Sequence, residues 1–287
     1  MADRKSPAKP APAYAGDKVK PVTIATLLDM KRKGLKIAML TAYDYPTARI
    51  AEEAGVDVVL VGDSVGMTKL GYESTLPVTV EEMLHHVKAV KRGLTRPLLL
   101  ADMPYLSYEI DIKEAVRHAG RFLKEGGAHA VKLEGGMDVA PAVKELLKAN
   151  IPVVGHLGLT PQAVHRLGGY KVQGRKPQDA ERIVTEARIL EGAGACAVVL
   201  ECVPAELAKE VTRRLTIPTI GIGAGPHCDG QVLVSDDLLG LTEGTPTKFV
   251  KRYADLRGTA LKAFAEYCKE VRDGDFPGPE HSFTSQA

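Results

Sequence analysis

Asp63, Asp102, Lys132, Glu134, His156 and Glu201 share one placement: each stands at or near the end of a short apolar run, in "VDVVLVGDS", "PLLLADMPY", "AVKLEGG", "PVVGHLGL" and "CAVVLECV". Asp44 ends "KIAMLTAYD" in the same way. Asp63, Asp102 and Glu134 offer only oxygen donors, with no paired His or clustered Cys among them. That is the donor set of a hard divalent ion, Mg²⁺ foremost, with water or substrate completing its coordination. Several acids gathered in one place need a cation, a lysine or a proton to offset their charge. Lys132, two residues before Glu134, is read as the partner of an anionic substrate, with a structural ion pair as the alternative. Glu201 sits between Leu200 and Cys202 at the end of an apolar run, a setting in which a carboxylate becomes a usable general base, or else holds a neighbouring loop. Asp44 and His156 read equally well as a helix cap and a structural histidine or as chemical groups.

Groups so far apart in sequence work together only if the elements carrying them converge. The apolar runs, continued in "PTIGIGAG" and "QVLVSDDLLG", have the character of strands buried on both faces of a parallel sheet. Between most of them lie amphipathic stretches with apolar residues three and four apart: "PTARIAEEAG", "TVEEMLHHVKAVKRG", "DIKEAVRHAGRFLKEGG", "APAVKELLKAN", "PQDAERIVTEARILEGAG" and "AELAKEVTRRL". Several begin after Pro, Thr or Asp and close on Gly or Asn, as helix caps do. A last long helix is expected near Lys251 to Gly274. About eight strand–helix units in a chain of this length point to an α/β fold, a single-domain (β/α)8 barrel of the TIM type, over an open doubly wound sheet. No GxGxxG follows the first strand, which removes the usual mark of the open alternative. In such barrels the active site lies at the C-terminal mouth of the strands, where these polar residues are expected to meet.

Composition sets the surroundings. The chain has 287 residues, 45% hydrophobic and 26% charged, with a net charge of +2, which suits one large soluble domain. The expected layout is a disordered tail over 1–20, a barrel over 21–275 and a C-terminal tail over 276–287. The charge is spread along the chain, which gives no basis for a nucleic-acid surface. The apolar runs are too short to span a membrane, and the Lys-, Pro- and Ala-rich start has no hydrophobic centre for a signal peptide. Cys196, Cys202, Cys228 and Cys268 lack CxxC spacing and read as small core residues of a protein in the reducing cytoplasm. Two loops add chemistry. "GHLGLTPQAVHRLGGYKVQGR" has the length and glycine content of a lid. "GIGAG", Gly221 to Gly225, serves equally as a phosphate cradle or a tight turn.

The motifs "TAYDYPTA", "VGDSVGMTKLGYESTLPVTVEEM", "LLLADMPY", "VKLEGG", "GHLGLTPQ", "GGYKVQGR", "LECVPAELAKEVT", "IPTIGIGAG" and "PGPEHSF" run in order from about Val22 to Phe283. Together they resemble the ketopantoate (3-methyl-2-oxobutanoate) hydroxymethyltransferase family. The resemblance implies a Mg²⁺-dependent barrel that makes 2-dehydropantoate for pantothenate biosynthesis, with 5,10-methylenetetrahydrofolate as one-carbon donor, and it implies a homodecamer. By motif, Asp63 and Asp102 would bind the metal directly and Glu134 would join its shell. Asp63, Ser64, Asp102 and Lys132 would hold the 2-oxo acid, and Glu201 would accept its proton. Two rivals are a metal-dependent 2-oxo-acid lyase of the phosphoenolpyruvate/pyruvate type and a non-catalytic barrel kept for binding or assembly.

Overall fold

The structure is a computed structural model that describes residues 20–285. The tail expected over 1–20 lies, Lys20 aside, outside the described residues. The chain divides into two compact units, one through Val234 and one from Ser235.

The first unit is a closed barrel of eight parallel strands paired in chain order: β1 (Ile37–Thr41), β2 (Val58–Val61), β3 (Leu98–Asp102), β4 (Ala130–Glu134), β5 (Val153–Gly158), β6 (Ala197–Glu201), β7 (Thr219–Ile222) and β8 (Gly230–Leu233). Pairing of Met39 with Val232 closes the ring. Around it run α1 (Ile24–Arg32), α2 (Tyr45–Glu53), α3 (Val65–Thr68), α4 (Val80–Gly93), α5 (Ile112–Lys124), α6 (Ala140–Lys148), α7 (Val164–Leu167), α8 (Pro177–Ala193) and α9 (Ala205–Arg214). Each expected strand and each expected interstrand helix is present. Helix α1, over 24–32, is an element beyond those expected from sequence, and Thr23 and Thr26 form its reciprocal cap. No helix joins β7 to β8.

Local chemistry explains the helix boundaries. Thr79 and Glu82 build a capping box at the start of α4, Asp111 caps α5, and Gly194, with φ of 99°, ends α8 in the left-handed region. Strand periodicity then separates two apolar layers. Leu99, Ala101, Val131, Leu133, Val153, Leu157, Val198 and Leu200 point outward into the layer beneath the helices. Leu98, Leu100, Ala130, Val154, Ala197 and Val199 fill the barrel interior. The same two-residue period continues along β3 to Asp102, along β4 to Lys132 and Glu134, along β5 to His156 and along β6 to Glu201. All five side chains therefore belong to the interior face, and at the C-terminal ends of their strands they form its upper layers.

In the second unit, α10 (Ser235–Leu238) precedes α11 (Leu256–Asp273), the long helix expected near the end of the chain. Asp255 caps α11 through the Gly258 amide. Phe276 turns its ring edgewise to Tyr267, with centroids 5.6 Å apart, so the start of the expected C-terminal tail lies against α11. Among the described residues no helix is long and apolar enough to cross a membrane. All four cysteines are free. Cys202 and Cys228 are buried as expected, whereas Cys268 is exposed on α11, because that helix buries none of its residues.

Candidate active site

Sheet register decides which polar groups meet. Asp102 pairs across β3–β4 with Lys132, and Glu134 pairs across β4–β5 with His156. Lys132 Nζ accordingly lies 3.0 Å from Asp102 Oδ1 and 3.7 Å from Glu134 Oε1. The imidazole of His156 spans two carboxylates, with Nδ1 3.2 Å from Glu134 Oε1 and Nε2 3.2 Å from Glu201 Oε2. Asp63, just beyond β2, joins through its amide, which donates to Asp102 Oδ2 at 3.0 Å. Gly62 permits this approach, since a Cβ there would lie 2.8 Å from Ser64 Oγ and 3.3 Å from Asp102 Oδ2. The Ser64 and Tyr43 hydroxyls are 2.8 Å apart at the edge of the cluster.

The electrostatics follow from charges out of water. Asp63, Asp102, Lys132, Glu134 and His156 are all buried, while Glu201 keeps 16% of its side chain exposed at the mouth. Burial, reinforced by repulsion from Asp102 and Glu134, holds the Asp63 carboxyl well above the usual range. Burial also raises Asp102, against the pull of Lys132. Burial and the Lys132 ammonium push His156 down, but Glu134 and Glu201 outweigh them and raise it to about 9. A charged imidazole must donate from both nitrogens. His156 therefore points Nδ1–H at Glu134, and the 3.1 Å approach of Lys132 Nζ to Nδ1 is a close contact of two cations held among acids.

The expected metal residues can be tested against this geometry. Asp102 Oδ1 is buried and faces Lys132 without the alignment of a hydrogen bond. Asp63 carries a surplus of negative surroundings that a cation would offset. These two side chains fit a divalent ion that keeps several water or substrate oxygens. Glu134 has both oxygens engaged, Oε1 by His156 and Oε2 by the Gln162 amide at 3.0 Å. Among the described residues no group of three or more His, Cys, Asp or Glu side chains is close enough to enclose a metal by itself.

The residues left open by sequence now have places. His156 lies at the centre of the cluster. Asp44 caps α2 by accepting the Thr47 amide at 2.8 Å, away from the acids. In "GIGAG", Gly223 and Gly225 have φ of 64° and 74°, and a Cβ on Gly225 would lie 2.5 Å from Ala205 Cβ, as a tight turn requires. The expected lid contributes Tyr170, whose hydroxyl lies 3.8 Å from Met67 Sδ. Partial burial, with the charges of Asp63, Glu201 and Glu134, raises that phenol. The loop is tied to the end of β6 by the Gln173 amide, which donates to Cys202 O at 2.9 Å.

Sequence reasoning passed over Tyr43, Tyr108 and Gln162. Tyr108 OH donates to Gln162 Oε1 at 2.6 Å, and Gln162 Nε2 donates to Asp63 Oδ2 at 2.8 Å. Tyr43 and Gln162 lie within the motifs "TAYDYPTA" and "GHLGLTPQ", and all three residues stand in loops after β1, β3 and β5, on the side of the barrel where strands end.

Comparison with known proteins points from this chain to one family. Residues 21–279 match the family model described as ketopantoate hydroxymethyltransferase. A 3-methyl-2-oxobutanoate hydroxymethyltransferase of Thermoanaerobacter sp. (strain X514) is 56% identical over 263 residues, covering 92% of this chain and 96% of that protein. The protein of that name from Carboxydothermus hydrogenoformans is 58% identical, covering 92% and 95%. A solved 2,3-dimethylmalate lyase, described as a PEP mutase/isocitrate lyase superfamily member, shares the fold with a TM-score of 0.57 at 16% identity, covering 92% of each chain.

Proposed function

The chain belongs to the ketopantoate hydroxymethyltransferase family, and from that membership we propose that it transfers a hydroxymethyl group from 5,10-methylenetetrahydrofolate to 3-methyl-2-oxobutanoate, giving 2-dehydropantoate for pantothenate biosynthesis. The enzyme is a transferase. Its likeness to the lyase at 16% identity is one of fold. The observation that carries the chemical reading is the inward row of Asp102, Lys132, Glu134, His156 and Glu201, which the β3–β6 register joins side by side.

In this reading Asp63 and Asp102 would hold Mg²⁺, with Glu134 as the third acid of its surroundings. Mg²⁺ supplies, when bound, a Lewis acid that draws electron density from the substrate oxygens. Glu201, the most exposed acid of the cluster, takes the proton from C3 of the oxo acid. His156 Nε2 lies 3.2 Å from Glu201 Oε2 without the alignment of a hydrogen bond, so the imidazolium holds Glu201 beside it by charge. Lys132 and Ser64 hold the oxo acid, the ammonium balancing its negative charge as the enolate develops. The enolate carbon then forms its new bond to the one-carbon unit, and both C–N bonds of the folate's methylene group break. One water supplies the oxygen of the hydroxymethyl group, and the two folate nitrogens take the proton from Glu201 and one from that water. Tyr170 and the rest of the loop close over the one-carbon unit and restrict its access to the water that the reaction consumes.

The enzyme works in the cytoplasm as a homo-oligomer, a homodecamer in the family pattern. Support for self-association comes from α11, where Leu261, Phe264, Tyr267 and Val271 are all exposed. The test of the reaction is formation of 2-dehydropantoate from 3-methyl-2-oxobutanoate, with and without methylenetetrahydrofolate and Mg²⁺. Product that forms at the full rate when either is withheld would refute the proposal.

A further inference from the structure

Gln162 lies on the 3-10 turn Pro161–Ala163 that opens the long loop after β5, yet its side chain is buried among the acids. Its amide has one possible orientation. Nε2 lies 3.0 Å from Met103 O and 2.8 Å from Asp63 Oδ2, both acceptors, so the nitrogen must be there and Oε1 must face the Tyr108 hydroxyl. The flipped amide would set an oxygen against both a carbonyl and a carboxylate. Tyr108 secures the other side, because its oxygen accepts the Glu134 amide at 3.2 Å while its proton goes to Gln162. Both N–H groups of the carboxamide and one of the two lone pairs of its oxygen are therefore used.

One residue thus grips two of the acids by different means. The backbone amide of Gln162 donates to Glu134 Oε2, and its side chain donates to Asp63 Oδ2. Asp63 needs such a donor most, being buried and repelled by Asp102 and Glu134. A carboxylate with one oxygen fixed in a hydrogen bond has its second oxygen and its rotamer determined.

We propose that Gln162 is a positioning residue for the divalent-ion site: its amide engages Asp63 Oδ2, reserves the other Asp63 oxygen for the ion, and makes the ordered loop after β5 part of the metal site. The inference rests on the reading of Asp63 as a metal-binding residue. Loss of a group that orients a metal-binding side chain weakens binding by about 10–100-fold. Because the contact to Glu134 comes from the backbone, substitution of Gln162 releases Asp63 but not Glu134, together with the side-chain bonds to Met103 O and the Tyr108 hydroxyl.

The test is Mn²⁺ affinity in the absence of substrates, read from the electron paramagnetic resonance of the free ion, with Mg²⁺ as competitor. Gln162→Met keeps the length and volume without the amide; Gln162→Asn keeps the amide but cannot reach Asp63. Both are expected to bind Mn²⁺ about 10–100-fold more weakly per folded site, while thermal melting stays cooperative. Tyr108→Phe, which leaves the amide but frees its orientation, is expected to weaken binding by a smaller factor, and it carries the test if a Gln162 variant fails to fold. Wild-type affinity in these variants, beside weakened binding in Asp63→Asn, overturns the role of Gln162, as does a fall in melting temperature with unchanged affinity per folded site. Wild-type affinity in Asp63→Asn itself overturns the metal reading of Asp63 on which the inference rests.

Discussion

In the proposed reaction Glu201 is the base and His156 the cation beside it, and the two predict different signatures. Glu201→Gln keeps the shape of the side chain but cannot accept a proton. Substrate binding should stay near normal while turnover falls by about 10²–10⁴. Exchange of the C3 proton of 3-methyl-2-oxobutanoate in D₂O, followed by NMR without folate, isolates this step, and exchange at the wild-type rate in the variant would remove Glu201 from the role. His156 predicts a pH effect. Its value is raised from 6.5 to about 9, so the folded protein holds a proton that the unfolded chain releases first. The stabilisation is complete below about pH 6.5 and is lost as pH rises through 9, a difference of roughly 3 kcal/mol. In EDTA, His156→Gln should therefore cost more stability at pH 6 than at pH 9.5, as measured by chemical denaturation. An equal cost at both pH values would mean that the imidazole is not held as a cation.

At the scale of elements, the ends of strands and helices hold these groups in place. Asp44 caps α2, so Asp44→Ala should lower stability by about 1 kcal/mol with turnover within about twofold of wild type, and Asp44→Asn should retain most of that stability. A large loss of turnover with no loss of stability would assign Asp44 to the chemistry instead. Gly158 has the opposite importance. It pairs with Glu201 at a φ of 96°, and a Cβ there would lie 2.2 Å from Glu201 O. Gly158→Ala should cost more than about 1 kcal/mol and should also lower turnover, because the backbone that carries Glu201 must shift. Calorimetric melting and steady-state kinetics on one preparation check both effects.

For the whole molecule, the exposed stripe on α11 is the feature that a lone chain leaves unexplained. Leu261 is 61% exposed and Phe264 70%, and exposed apolar surface of this kind marks an interaction site. Replacement of both by Asp should lower the sedimenting mass while leaving the circular dichroism of the barrel unchanged. An unaltered mass would remove α11 from the proposed self-association.

The sequence by itself determined the order of elements, because burial on both faces of a parallel sheet leaves near-continuous apolar runs and the helices carry their caps in local chemistry. It also showed that Asp63, Asp102, Glu134 and Glu201 stand at strand ends, and its motifs pointed to the family. Where sequence gave equal readings, as for Asp44 and His156, tertiary structure separated them: one satisfies a helix terminus three residues away, the other bridges acids on neighbouring strands. Register alone set His156 beside Glu134 and Lys132 beside Asp102, and register depends on how the ring closes. Gln162 shows the limit most clearly. A glutamine in a loop has no periodicity to mark it, and its contact with Asp63 spans 99 positions of chain. Local chemistry writes helices and strands into the sequence, whereas a hydrogen bond across the mouth of a barrel exists only once the barrel has closed.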